Sequence, residues 1–107
     1  MPTVRVDHSV EFEGLEFEWD SDKADEVERK HGITFVEALT VFFDPLAAET
    51  YDEEHSTDED RYVTIGRTAS EKVVVVVNTY RGSRIRLISA RRPTPSEREA
   101  YEQGEGP

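Results

Sequence analysis

The sequence predicts an α+β domain in which helices pack on an antiparallel sheet, and three stretches carry that prediction. Val73 to Val77 is apolar at every position, as an interior strand covered on both faces requires. Leu15, Phe17 and Trp19 alternate with Glu16, Glu18 and Asp20, the period of two of a half-buried strand. Thr94, Pro95 and Glu97 supply the cap, the first-turn proline and the reciprocal carboxylate of a helix start. Strands and helices therefore come in separate runs rather than in alternation, which is the α+β signature.

Taken in order, residues 1–14 read as an acidic extension or an edge strand, residues 15–103 as one domain and residues 104–107 as a tail. After the strand from Leu15, Asp20 or Ser21 caps a helix whose inward positions are Ala24, Val27 and His31, and Gly32 stops it in a left-handed cap. A second helix is predicted from Thr34 and Glu37, which form a capping box, and from Phe35, Leu39, Phe42 and Phe43 at helical spacing. Asp44-Pro45 ends it. A short strand over Ala48 to Tyr51 leads into DEEHSTDED, too charged to bury and so a solvated loop. Arg61 to Gly66, the valine run and Arg84 to Ala90 then make an antiparallel meander, with the turn Tyr80-Arg81-Gly82-Ser83 between the last two strands.

Composition narrows the function. No cysteine is present, so disulfides, thiolate metal sites and a Cys nucleophile are excluded, which fits a cytoplasmic protein. No apolar run approaches the length of a membrane span, and the first residues lack the pattern of a signal peptide. The net charge of -11 argues against a nucleic-acid ligand until its distribution is considered. Residues 1–60 carry 4 basic and 19 acidic side chains, whereas residues 61–98 carry 9 basic and 2 acidic. Such a chain can present a basic face on an acidic body.

Gly-rich phosphate loops, paired metal-binding histidines and nucleophile elbows are all absent from the sequence. His8, His31 and His55 are scattered, and no metal site is expected from them. His31 has the side chain best suited to acid–base work near neutral pH, although a helix-terminal histidine also serves as a structural cap. The stronger cluster is Arg67, Arg84, Arg86, Arg91 and Arg92. Alternation puts Arg84 and Arg86 on one strand face, and a strand continued regularly puts Arg92 with them and Arg91 on the other. Guanidinium groups so placed suit a phosphodiester, whose oxygens they bind in forked geometry. The competing reading is that these arginines balance the acidic first half.

These residues lie in a recognisable pattern. Three stretches, FEWDSDKADEVERKHGITFVEALTVFFDPLA (Phe17 to Ala47), DEEHSTDEDRYVTIG (Asp52 to Gly66) and RIRLISARRPTPSEREAYE (Arg84 to Glu102), resemble the BrnT family of bacterial type II toxins. The resemblance implies a RelE-like fold with two N-terminal helices, an antiparallel meander and a C-terminal helix. It implies an endoribonuclease that halts translation and a ribbon-helix-helix, BrnA-like antitoxin with which the toxin represses its own operon, so that DNA is contacted only through the antitoxin. It carries His31, Arg67, Arg91 and Arg92 over as catalytic positions and His55 as a polar position of the acidic loop. His55, Arg84 and Arg86 are expected to bind substrate, and no cofactor or membrane partner is expected. An alternative is a non-catalytic module that binds the antitoxin and only modulates transcription; a plain nucleic-acid-binding domain is a third.

Overall fold

The computed structural model describes residues 7–104. Its elements run β1 (Asp7–Phe12), β2 (Leu15–Asp20), α1 (Ser21–His31), α2 (Phe35–Ala38, continuing as a 3-10 turn over Leu39–Phe43), β3 (Ala48–Tyr51), β4 (Tyr62–Arg67), β5 (Val73–Arg81), β6 (Arg84–Arg91) and α3 (Pro95–Glu102). The six strands form one sheet in the order β1-β2-β6-β5-β4-β3. The meander β4-β5-β6 is antiparallel, as expected, but the sheet as a whole is mixed, because β2 lies parallel to β6. That pairing joins segments far apart in the chain, so no local pattern announces it. Its register sets Glu16 beside Arg84 and Glu18 beside Arg86.

The valine run divides the core between the two faces of the sheet. Val74 and Val76 join Phe17, Trp19, Val27, Phe35, Leu39, Val41 and Leu87 beneath α1 and α2. Val73 and Val75 join Ile65 and Tyr101 beneath α3 on the opposite face. Trp19 is fixed edge-on against Phe35 and stacked with His8 of β1.

The helices follow their local signals with three departures, the first being that the Glu37 carboxylate accepts from the Ser70 hydroxyl and does not close the capping box expected with Thr34. Asp20 caps α1, its carboxylate accepting from the Asp22 and Lys23 amides, and Thr34 caps α2 through the Glu37 amide. The long second helix expected from the aromatic spacing forms only one α-turn before tightening to 3-10. The Thr40 hydroxyl donates to the Glu37 carbonyl at 2.6 Å, the local bond by which threonine competes with the helical ladder. The third departure is His31, expected on the buried side of α1 and in fact exposed beyond the buried Val27.

Close approach of the 3-10 turn to β4 makes Gly66 a packing requirement. A Cβ there would lie 3.0 Å from Val41 Cβ and 3.1 Å from the Val41 carbonyl oxygen. Gly66→Ala is expected to cost about 1–3 kcal/mol by forcing backbone apart, a loss that urea denaturation would measure.

Candidate functional site

Two local features set the geometry of the basic end of the molecule. The first is the end of α1, where Gly32 adopts φ 68 and its amide donates to the Glu28 carbonyl at 2.8 Å. Glycine takes this left-handed conformation without steric cost, so the helix stops abruptly and leaves Arg29, Lys30 and His31 on its last turn. The second is an irregularity in β6. Val77 pairs with Ser89 and Asn78 with Leu87, so Ile88 has no partner and the strand gains one residue.

That bulge reverses the expected alternation. Arg84 and Arg86 stand opposite Arg81 and Thr79 of β5, and Arg91 stands opposite Val75, all on one face. A regular strand would have sent Arg91 to the other. On this face Arg91 meets α3: its guanidinium donates twice to the Glu97 carboxylate, at 2.7 and 3.0 Å. Glu97 also accepts from the Thr94 amide at 2.8 Å, closing the capping box of α3. Direct bonding to Arg91, outweighing partial burial, holds the Glu97 carboxyl at about 2. Arg91 is thus a brace between β6 and the start of α3.

A lowered carboxyl pKa is a stability statement with a definite pH window. The contribution of Glu97 is fully present above its ordinary value of 4.5 and is lost as pH falls through about 2. Glu97→Gln, which weakens both the brace and the cap, is expected to cost about 2 kcal/mol at pH 7 once partial exposure is allowed for. The gap between variant and parent should shrink steadily below pH 4.5, as urea midpoints taken across the range would show.

Beyond Arg91 the chain leaves the sheet at Arg92-Pro93-Thr94, and here the ends of α1, β6 and the β4–β5 turn converge on a cleft. Its deeper half, about 520 Å³, is lined by Ile33, Glu71, Lys72, Val73, Arg92, Pro93, Pro95 and Arg98 among others. Its shallower half, about 680 Å³, is lined by Lys30, His31, Arg91 and Arg92. Gly32, Arg92, Pro93 and Thr94 belong to both halves, so the two are continuous. Five basic residues and His31 therefore line one continuous space. Lys30 is paired with Glu26 at 2.7 Å and Arg98 with Glu102 at 2.8 Å. Arg92 is exposed and has no ion pair among the described residues, and the same holds for Lys72. Arg67 lies across the β4–β5 turn in a neighbouring hollow that shares Glu71 with the cleft. Its Nη1 donates to the Glu71 carbonyl at 3.3 Å, and its guanidinium carbon sits 5.9 Å from the centre of the Tyr101 ring.

Compared with models of known families, residues 19–97 match the one described as "Ribonuclease toxin, BrnT, of type II toxin-antitoxin system". The chain belongs to the BrnT toxin family. No curated protein matches it closely. Membership implies a ribonuclease toxin of a type II toxin–antitoxin system, with RNA as substrate and an antitoxin as partner. The matched segment contains His31, Lys72, Arg91, Arg92 and Glu97 and stops one residue short of Arg98.

The other positions singled out from the sequence of this BrnT-family chain lie elsewhere. His55 sits in the acidic loop, its Nδ1 2.9 Å from Asp52 Oδ2, and lines neither half of the cleft. Arg84 donates to Glu16 at 3.0 Å, and Arg86 is held between Glu18 at 2.5 Å and Asp7 at 3.0 Å. Both arginines neutralise acids of the first half of the chain, the reading that competed with substrate binding. Lys72, Arg98 and Glu71 were not singled out from the sequence. Lys72 and Glu71 precede the valine run without a periodic signal of their own, and Arg98 reads as one charge of a solvated helix. No group of three or more His, Asp or Glu residues that could hold a metal ion occurs among the described residues, and no described helix is long and apolar enough to cross a membrane.

Proposed function

We propose that this chain, in a RelE-like fold, halts translation by cutting RNA in the cleft between α1 and Arg92. The observation that carries the reading is the juxtaposition of an exposed imidazole, His31, with two cations free of described ion pairs, Arg92 and Lys72. A phosphodiester seated there has its non-bridging oxygens beside Arg92 and Lys72. The adjacent 2′-hydroxyl attacks phosphorus, the bond to the 5′-oxygen breaks, and a 2′,3′-cyclic phosphate and a 5′-hydroxyl result. His31 moves the proton at one of the two oxygens, a role typically worth about 10²–10⁴-fold. Arg92 and Lys72 offset the charge that builds up on the phosphorane, and Arg67 extends positive potential along the RNA from the adjoining hollow. Arg91 positions Arg92 by fixing the strand end to α3. Because the nucleophile is built into the substrate, the reaction proceeds without a metal ion.

The partner in this proposal is a BrnA-like ribbon-helix-helix antitoxin that neutralises the toxin and supplies the DNA contacts by which the pair represses its operon. Expression of the chain alone tests the scheme: growth should stop and RNA should be cut, with the purified chain remaining active in EDTA. His31→Ala should retain a small residual rate, because the electrostatic contribution is untouched. Growth without arrest, together with intact RNA and co-purification with the antitoxin, would instead favour the non-catalytic module.

A further inference from the structure

The deeper half of the cleft contains one residue whose conformation the fold sustains against its own preference. Glu71 occupies φ 66, the left-handed region that a side chain with a Cβ rarely adopts. Its amide donates to the Thr68 carbonyl and the Thr68 amide to the Lys72 carbonyl, both at 2.8 Å, closing a tight β4–β5 turn. In turns of this kind the left-handed position is usually glycine. The conformation is braced from outside: the Ala69 amide donates to the Thr40 hydroxyl at 2.9 Å, and the Ser70 hydroxyl to the Glu37 carboxylate at 2.6 Å. Backbone strain maintained by its surroundings concentrates at functional sites.

What this turn presents is an exposed carboxylate with no ion pair or side-chain hydrogen bond among the described residues, in a cleft half whose other charged lining residues are Lys72, Arg92 and Arg98. An acid there opposes phosphate binding, so its use must be toward another part of the nucleotide. A carboxylate accepts two parallel hydrogen bonds. Guanine alone among the four RNA bases offers two neighbouring donors, N1–H and N2–H, on its Watson–Crick edge. Ile33 and Pro95 give the cleft apolar surface suited to the face of a base, and single-stranded RNA can splay a base into such a space.

We propose that Glu71 is a specificity-determining residue that selects guanine next to the cleaved phosphate. The proposal rests on the ribonuclease reading of the same cleft, and binding can test it separately from cleavage. Short 2′-fluoro oligoribonucleotides, which lack the nucleophile, would carry G, A, C, U or inosine at one position of a constant sequence. Fluorescence anisotropy on the full chain should show binding to the G oligomer about tenfold or more tighter than to the A, C and U oligomers. Inosine, lacking the N2 amine, should fall between. Glu71→Gln presents one acceptor and one donor, so it should lose the preference for G and gain for A. Glu71→Gly removes the carboxylate and relieves the backbone, so it should lose the preference while melting at or above the parent's temperature. A parent indifferent to the base, or a G preference that both variants retain, overturns the assignment. G-selective binding by a chain that leaves unmodified RNA intact overturns the ribonuclease reading alone.

Discussion

Arg92→Ala is expected to slow RNA cleavage by about 10²–10³-fold, the usual cost of removing one preorganised donor from a developing oxyanion. Arg92 is exposed, makes no ion pair with the described residues and lines both halves of the cleft, so its loss leaves no buried charge behind. The melting temperature should therefore hardly move. Lysine at this position restores charge but not the forked geometry and should recover only part of the rate. Cleavage of a labelled RNA by parent and variant at equal concentration, with parallel melting curves, gives both numbers. The contrast with Arg91 is informative, because Arg91→Ala breaks the brace to Glu97 and should lower stability and rate together.

The second large effect is on folding. Arg86→Ala is expected to destabilise the protein by about 3 kcal/mol, the low end for breaking a buried pair, since it leaves the Glu18 carboxylate, with almost no access to water, only the longer contact to Arg84 Nη1 at 3.7 Å. Glu18 is 7% exposed, and Arg86 reaches it at 2.5 Å across the parallel β2–β6 pairing. Partial burial lowers the Arg86 pKa, but the bonds to Asp7 and Glu18 outweigh it, so the guanidinium is held charged more firmly than usual. Replacing both partners by apolar residues of similar size, as in Glu18→Leu with Arg86→Met, should recover most of the loss. Urea denaturation of the parent, Arg86→Ala and the double variant distinguishes this role from substrate binding. A substrate contact would appear as slower cleavage with stability unchanged.

Legibility from sequence followed how local each determinant is. The capping box of α3 is complete within Thr94 to Glu97, and the stop of α1 is one glycine, so both could be read directly. The valine run could be read because each position is apolar, and its alternation between two cores is a property of any strand covered on both faces. The parallel β2–β6 contact could not be read, because it depends on how distant segments meet. With it went the fate of Arg84 and Arg86, whose partners Glu16 and Glu18 lie 68 residues away in the chain. The facing of Arg91 was hidden for a different reason. One unpaired residue, Ile88, inverts the alternation, and its side chain gives no warning. For the cleft, sequence reasoning and resemblance named His31 and Arg92 but missed Glu71, Lys72 and Arg98, which join them only when the β4–β5 turn, the start of α3 and the end of α1 come together around one space.

The central claim is that RNA is cut at this cleft by its own 2′-hydroxyl. It is tested most directly with an RNA the chain cleaves at one position, resynthesised with a single deoxyribose on the 5′ side of that bond. The expected result is loss of cleavage at that bond alone, with the unmodified RNA yielding a 2′,3′-cyclic phosphate and a 5′-hydroxyl. Cleavage at the deoxy position, or products bearing a 5′-phosphate, would contradict it.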